Sequence, residues 1–433
     1  IDQLLERPEY ADFWANKWAD LLRPNPYRVG IKAVFSLDGW LRDAFRQNKP
    51  YDRFVREILT AQGSSFRNGA TVVFRGRREP DEITAMVGQL FLGIRLECAK
   101  CRPHPFEVWA QEDFHSLAAY FARLGRKGTG LSPPIPGAEE VLFTARSGAV
   151  KHPLTGKALA PRPLFGKAPP LDEDRDPRQA LAEWLTADDN PFFAKVQVNR
   201  VWADLMGRGL VEPVDDLRAS NPPSNGPLLE ALAQRFRQDG YDLKKLLRVI
   251  MTSQVYGLSS RPNARNVSDL RNYSRHYRQA LRGEVLLDAY SDITGVPEAF
   301  AAAAPNTRAM QLWTVRIPSV FLDSFHRPDP NQDPPCDRTT ETSVVQALHL
   351  MNARQLHAKT TSDQGRAAQL AAGKKSPQEI VDELYLLIYA RMPEDAERAV
   401  ALKTFARPGT TRRQAVEDLM WAMLNTPEFL FKD

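Results

Sequence analysis

The sequence predicts a mainly α protein made of two related multi-helix domains, which a Gly/Pro-rich arm with minor β structure connects. Apolar residues recur at helical spacing through most of the chain. Two pairs of segments repeat in the same order, which indicates a duplicated helical unit. Residues 125–170 hold seven Gly and eight Pro, and this composition interrupts the helical pattern.

The first predicted domain comprises residues 1–124. Its helical pattern predicts helices at 1–22, 37–47, 51–61, from Pro80 down to Cys98, and 113–124. Residues 63–76 are predicted to form a loop with a short extended piece at 71–74. The helix from Pro80 is apolar on most of its circumference, so we expect it to be buried.

The arm, residues 125–175, is predicted to carry a β-hairpin in which 141–151 pairs with 157–162. The second domain, 176–433, begins with an Asp176-Pro177 helix start. Further helices are predicted to start at Asn190-Pro191 and to cover 274–294, 342–356, 377–390, 393–405 and 411–424. Ser376 with Glu379, and Thr411 with Gln414, fit the capping-box pattern.

The internal repeat relates the start of the chain to its middle. PEYADFWANKWADLL (8–22) parallels PFFAKVQVNRVWADLM (191–206) with one inserted residue. This alignment places Asn16 with Asn199, Lys17 with Arg200 and Asp20 with Asp204. FRQNKPYDRFVREILTAQ (45–62) likewise parallels FRQDGYDLKKLLRVIMTSQ (236–254) with one gap.

Composition and motifs give no support to several classes of protein. With 58 basic and 53 acidic residues the net charge is only +5, so neither nucleic acid nor an anionic membrane is expected as a partner. No apolar run reaches the ~18 residues of a transmembrane helix, and no signal peptide precedes Ile1. The chain also lacks Gly-x-Ser-x-Gly, His-Glu-x-x-His, P-loop and dinucleotide-binding motifs.

The densest chemistry lies in the cysteine turn, Cys98 to His104, which holds two of the three cysteines. Cys98, Cys101 and His104 are candidate metal ligands, with Cys336 as a further candidate because zinc sites need about four. The two thiols could instead form a redox dithiol or a structural disulfide. Covalent haem attachment is disfavoured because Arg102, which cannot ligate iron, stands where an axial histidine would follow.

A second group of polar residues lies in 321–342. Its carboxylates Asp323, Asp333, Asp337 and Glu341 are candidates for hard-cation binding or for acid–base catalysis. Internal salt bridges with Arg327 and Arg338 explain the same residues without a site. The loop with Asp215, Asp216 and Asn221 is a further lead that an ordinary helix connector also explains.

The run FLGIRLECAKCRPHPFEVWAQEDFHSLAAYF (91–121) resembles the planctomycete cytochrome-c-associated domain of unknown function. The runs at 190–225 and 321–352 resemble the planctomycete-specific domain that follows it. This resemblance implies an exported or periplasmic protein whose partner is a cytochrome c module or an envelope protein, but it supplies no activity. Family members commonly carry Cys-x-x-Cys-His, so Arg102 departs from the pattern.

Three functions are compatible with these observations. The first is an exported accessory protein of a cytochrome-linked envelope system with a metal or redox site at Cys98, Cys101 and His104. The second is a non-catalytic binding scaffold whose cysteines are structural. The third is a carboxylate-based enzyme that acts on a polysaccharide. The sequence alone identifies neither a cofactor nor a substrate.

Overall fold

The structure, a computed structural model, describes residues 1–129, 137–172, 174–329 and 343–432. It is mainly α, with 52% of residues helical and 5% in strands, which confirms the predicted fold class. The chain divides into two compact units, of which the first is Ile1–Tyr277 and the second begins at Arg278. Within the described residues, no helix combines the length and the apolar character needed to cross a bilayer.

The first unit is built from helices before and after the arm. Its α-helices are Asp2–Leu5, Pro8–Leu22, Pro26–Val29, Ile31–Arg46, Tyr51–Leu59, Val73–Gly76, Pro80–Val87, Gln111–Ala118, Pro177–Leu185, Phe193–Met206, Gly226–Gln238 and Leu243–Met251. Three 3₁₀ turns, Gly69–Val72, Leu96–Lys100 and Ala119–Phe121, and a π turn, Gly88–Leu92, join them. Residues 71–74, predicted to be extended, are helical instead.

Each repeated segment contains a helix, and all four segments lie in the first unit. Lys17 of the first copy forms an ion pair with Asp204 of the second. Tyr51 stacks on Phe193, with ring centroids 5.0 Å apart, and its backbone N–H donates to the Tyr241 carbonyl at 3.0 Å. These contacts join the two copies through one buried aromatic core.

The β structure consists of short antiparallel pairs. Glu140–Thr144 lies between Gly63–Ser64 and Leu124–Gly128 in a three-stranded sheet. Val150–Lys151 pairs with Ala158–Leu159, so only the part of the predicted hairpin next to its turn is present. Residues 141–144, which were predicted to pair with 157–162, pair with the other two strands of the three-stranded sheet instead. In the second unit, Gln279–Ala280 pairs with Phe431–Lys432.

The second unit packs its helices around a core of its own. They are Gly283–Thr294, Val320–Ser324, Val344–Asn352, Arg354–Thr360, Arg366–Ala372, Pro377–Tyr389, Asp395–Phe405, Arg412–Leu424 and Pro427–Leu430, with a 3₁₀ turn at Ala309–Gln311. The helix predicted to start at residue 274 starts at Gly283, because the chain before it forms turns and a short strand. Both predicted capping boxes are present.

Candidate functional site

The cysteine turn follows a buried helix that ends abruptly. Pro80–Val87 continues through the π turn Gly88–Leu92 and stops at Gly93, which adopts φ +64°. A side chain at Gly93 would lie 2.3 Å from Leu217, so this stop requires glycine for space as well as for conformation. The chain then turns into the 3₁₀ helix Leu96–Lys100.

This 3₁₀ helix separates buried from exposed residues. Leu96 and Ala99 are fully buried, whereas Cys98 and Cys101 are exposed and carry free thiols. Residues three apart are nearly eclipsed along a 3₁₀ helix. Cys98 in the helix and Cys101 at its end therefore lie on the same side, which faces solvent.

Side chains of two neighbouring helices hold the residue Lys100, which lies between the two thiols. The Lys100 carbonyl accepts hydrogen bonds from Nε2 of Gln111 at 2.9 Å and from Nε2 of His115 at 3.1 Å. The Lys100 ammonium lies 2.5 Å from a carboxylate oxygen of Asp81, and this hydrogen bond raises the pKa of Lys100. The turn is thus held by side chains from the helices before and after it.

His104 uses both of its ring nitrogens for bonds to the backbone. Nδ1 accepts from the Phe106 N–H at 3.2 Å, so the ring proton is on Nε2, which donates to the Arg95 carbonyl at 3.2 Å. Binding of a metal through either nitrogen would break one of these bonds. Among the described residues, no group of three or more His, Cys, Asp or Glu side chains is arranged to hold a metal ion.

The residues of the turn do not fit covalent haem attachment. The two thiols are available, but Arg102 is exposed and its guanidinium cannot serve as an iron ligand. The nearest histidine, His104, already has both ring nitrogens engaged.

Two exposed apolar side chains that follow the thiols in the sequence were not predicted as part of the site. Phe106 is 69% exposed and Val108 is 85% exposed. Arg218 lies over the Phe106 ring, 5.8 Å from its centroid. Apolar residues inside a Pro-rich polar loop were the sequence signal that could have identified them.

The second group of candidate residues lies partly outside the described residues, which exclude Asp333, Cys336, Asp337 and Glu341. Asp323 forms an ion pair with Arg327 at 2.6 Å, one turn further along. The loop around Asp215 is likewise engaged in structural contacts. Asp215 accepts hydrogen bonds from Arg95 at 2.6 Å and from Gln89 at 2.5 Å, which ties this loop to the segment before the cysteines.

Fold and site together define a mainly α protein with an exposed Cys-x-x-Cys at the end of a core helix. The chain belongs to the PSD1 family, proteins of unknown function (DUF1553), whose model matches residues 177–405. Residues 1–126 match the PSCyt2 family, also of unknown function (DUF1549), which is the planctomycete cytochrome-c-associated domain. The resemblance identified from the sequence is thereby confirmed.

No curated protein and no solved structure matches the chain.

Proposed function

We propose that this protein is an exported accessory protein of a cytochrome-linked system, and that Cys98 and Cys101 are its working dithiol. The observation that carries the proposal is the pair of free, exposed thiols on one side of a 3₁₀ turn. The cytochrome association of the family that matches residues 1–126 supports the cellular setting.

A redox role is favoured over a metal site because of His104. A dithiol needs only the two exposed sulfurs. A three-ligand site would also need an imidazole nitrogen, and both nitrogens of His104 are hydrogen-bonded to backbone. Losing one of those bonds would cost about 1 kcal/mol before any metal is bound.

We favour a macromolecular partner because exposed apolar side chains follow the thiols closely in the sequence. Phe106 and Val108 are 69% and 85% exposed, and interface cores are enriched in aromatic side chains. Both thiols are exposed, so the disulfide of another protein can reach them.

The reaction we propose is thiol–disulfide exchange with a cytochrome precursor. A c-type precursor carries a Cys-x-x-Cys-His segment whose thiols must be reduced before haem is attached. One thiolate of this protein attacks the precursor disulfide, and a mixed disulfide forms. The second thiolate displaces the precursor's sulfur from the mixed disulfide, so that one disulfide forms here, one is reduced in the partner, and one reduced protein is consumed for each precursor.

The test uses a synthetic Cys-Ala-Ala-Cys-His peptide in its disulfide form, incubated with the reduced full-length chain. We expect stoichiometric peptide reduction and a protein mass lower by two hydrogens. Cys98→Ser and Cys101→Ser should each abolish reduction of the peptide. One of these two variants should accumulate the mixed disulfide with the peptide. Cys336→Ser is the matched control and should react like the wild type.

Two results would refute the dithiol. One is a peptide that stays oxidised while both thiols remain open to alkylation. The other is one equivalent of zinc that the wild type binds and that both Cys98→Ser and Cys101→Ser fail to bind, which would establish a metal site instead. A visible absorption spectrum of the same sample tests for bound haem.

A further inference from the structure

The first unit contains a pocket of about 290 Å³ that is lined by residues outside the cysteine turn. Its walls come from the chain that follows the Phe193–Met206 helix and from a turn near Asp269. Five polar side chains line it: Arg208, Glu212, Asn221, Ser224 and Arg271.

The two arginines supply positive charge to the pocket wall. Arg208 is partly exposed and Arg271 is exposed. Within the described residues, neither guanidinium makes a hydrogen bond or an ion pair. Planar guanidinium groups match carboxylates because each can donate two parallel hydrogen bonds.

The other three side chains offer acceptors. The Asn221 amide nitrogen donates to the carbonyls of Glu212, at 3.0 Å, and Asp216, at 2.8 Å, so only its oxygen is left for a ligand. The Ser224 hydroxyl donates to the Leu210 carbonyl at 3.1 Å, which leaves its lone pairs. One Glu212 oxygen accepts from the Gly209 N–H, and the other can accept from a ligand.

The segments that carry the two arginines are fixed to each other by Tyr273. Its hydroxyl lies 2.7 Å from the Gly209 carbonyl oxygen and 3.0 Å from that of Arg208, and donates to this pair. Burial raises the pKa of Tyr273 to about 12, so the hydroxyl keeps its proton at neutral pH. The Asp269 carboxylate accepts from the Arg271 N–H at 3.0 Å, which holds the turn.

We propose that this pocket binds a small hydroxycarboxylate, with its carboxylate on the arginines and its hydroxyls on Asn221, Ser224 and Glu212. The volume lies near the lower end for small-molecule sites. Two arginines and one glutamate leave a charge of +1 at the wall, which suits a single carboxylate better than a phosphate dianion.

The test is isothermal titration calorimetry, in which D-gluconate is added to the full-length chain at about 0.15 M ionic strength. We expect saturable binding, with D-glucose and propionate each at least about 10-fold weaker because each lacks one of the two groups recognised. Arg208→Gln and Arg271→Gln should each weaken gluconate binding by about 10-fold or more. Arg261→Gln alters an exposed arginine outside the pocket and should change nothing.

Three results would overturn the proposal. If titration with gluconate gives no saturable heat, the pocket does not bind a hydroxycarboxylate. Equal binding by the wild type and both arginine variants would place binding elsewhere. Propionate or inorganic phosphate that binds as tightly as gluconate would reduce it to unspecific anion attraction.

Discussion

Arg178 is almost fully buried, at 1% exposure, and forms an ion pair with Asp176. The guanidinium lies 2.7 Å from an Asp176 oxygen and also donates to the Ala61 carbonyl at 3.0 Å. Burial by itself would raise the pKa of Asp176, but hydrogen bonds from Arg178 and Thr144 outweigh it and lower the pKa. A buried ion pair of this kind depends on both partners.

We expect Asp176→Asn to lower the free energy of unfolding by about 3–5 kcal/mol, because it leaves the Arg178 charge buried without a counter-ion. Urea denaturation near pH 7 measures this value. Asp43→Asn is the control, since the Asp43–Arg46 pair is exposed and should contribute at most about 1 kcal/mol. Equal losses in the two variants would contradict this account of the buried pair.

The lowered pKa of Asp176 also predicts that the effect of Asp176→Asn on stability depends on pH. The folded pKa of Asp176 is below its ordinary value of 3.8, so its stabilising contribution is complete above that value. It is lost as the pH falls through the lowered folded pKa, where the wild type also becomes neutral at this position. The stability difference between wild type and Asp176→Asn should therefore shrink at acid pH. A difference that stays constant from neutral to acid pH would be inconsistent with this.

At the scale of single elements, the helix Pro377–Tyr389 is one whose start the sequence predicted. The Ser376 hydroxyl accepts from the Glu379 N–H at 3.3 Å, and the Glu379 carboxylate accepts from the Ser376 N–H at 2.6 Å. Behind this cap, Ile380 and Leu384 are fully buried in the core of the second unit. Cap and periodic pattern agree, which is why local sequence was sufficient here.

Ser376→Ala should lower the stability of the second unit by about 1 kcal/mol, because it removes one side of the capping box. Thermal unfolding followed by circular dichroism measures the change. Ser324→Ala is the control. Among the residues that the structure describes, the Ser324 hydroxyl bonds only to the Val320 carbonyl of its own helix. Its removal should therefore lower the stability by less than about 0.5 kcal/mol. Indistinguishable melting temperatures would show that the cap contributes nothing.

Local sequence was insufficient where a helix begins without a side-chain cap. The helix Ile31–Arg46 starts six residues earlier than predicted, directly after Gly30 with φ +84°, and the exposed apolar residues Ile31 and Phe35 interrupt the helical pattern in its first turns. In the cysteine turn the sequence identified the thiols. It could not reveal that the backbone already occupies both His104 nitrogens, because Arg95 is nine residues away.

At the scale of the whole molecule, family segments and compact units follow different boundaries. The PSCyt2 match lies within the first unit, whereas the PSD1 match begins in the first unit and ends in the second. The division at residues 124 and 175 stays a prediction. The repeat was readable from sequence, but the contact between Tyr51 and Phe193 that joins its copies depends on long-range packing.

The most direct test of the proposed dithiol is its redox equilibrium in the full-length protein. The chain is equilibrated in glutathione buffers of graded potential, quenched with acid, alkylated and weighed by mass spectrometry. We predict one two-electron transition in which Cys98 and Cys101 lose their alkylation together, and which Cys336→Ser leaves unchanged. Cys98 and Cys101 that remain separately alkylated at every potential would contradict the account.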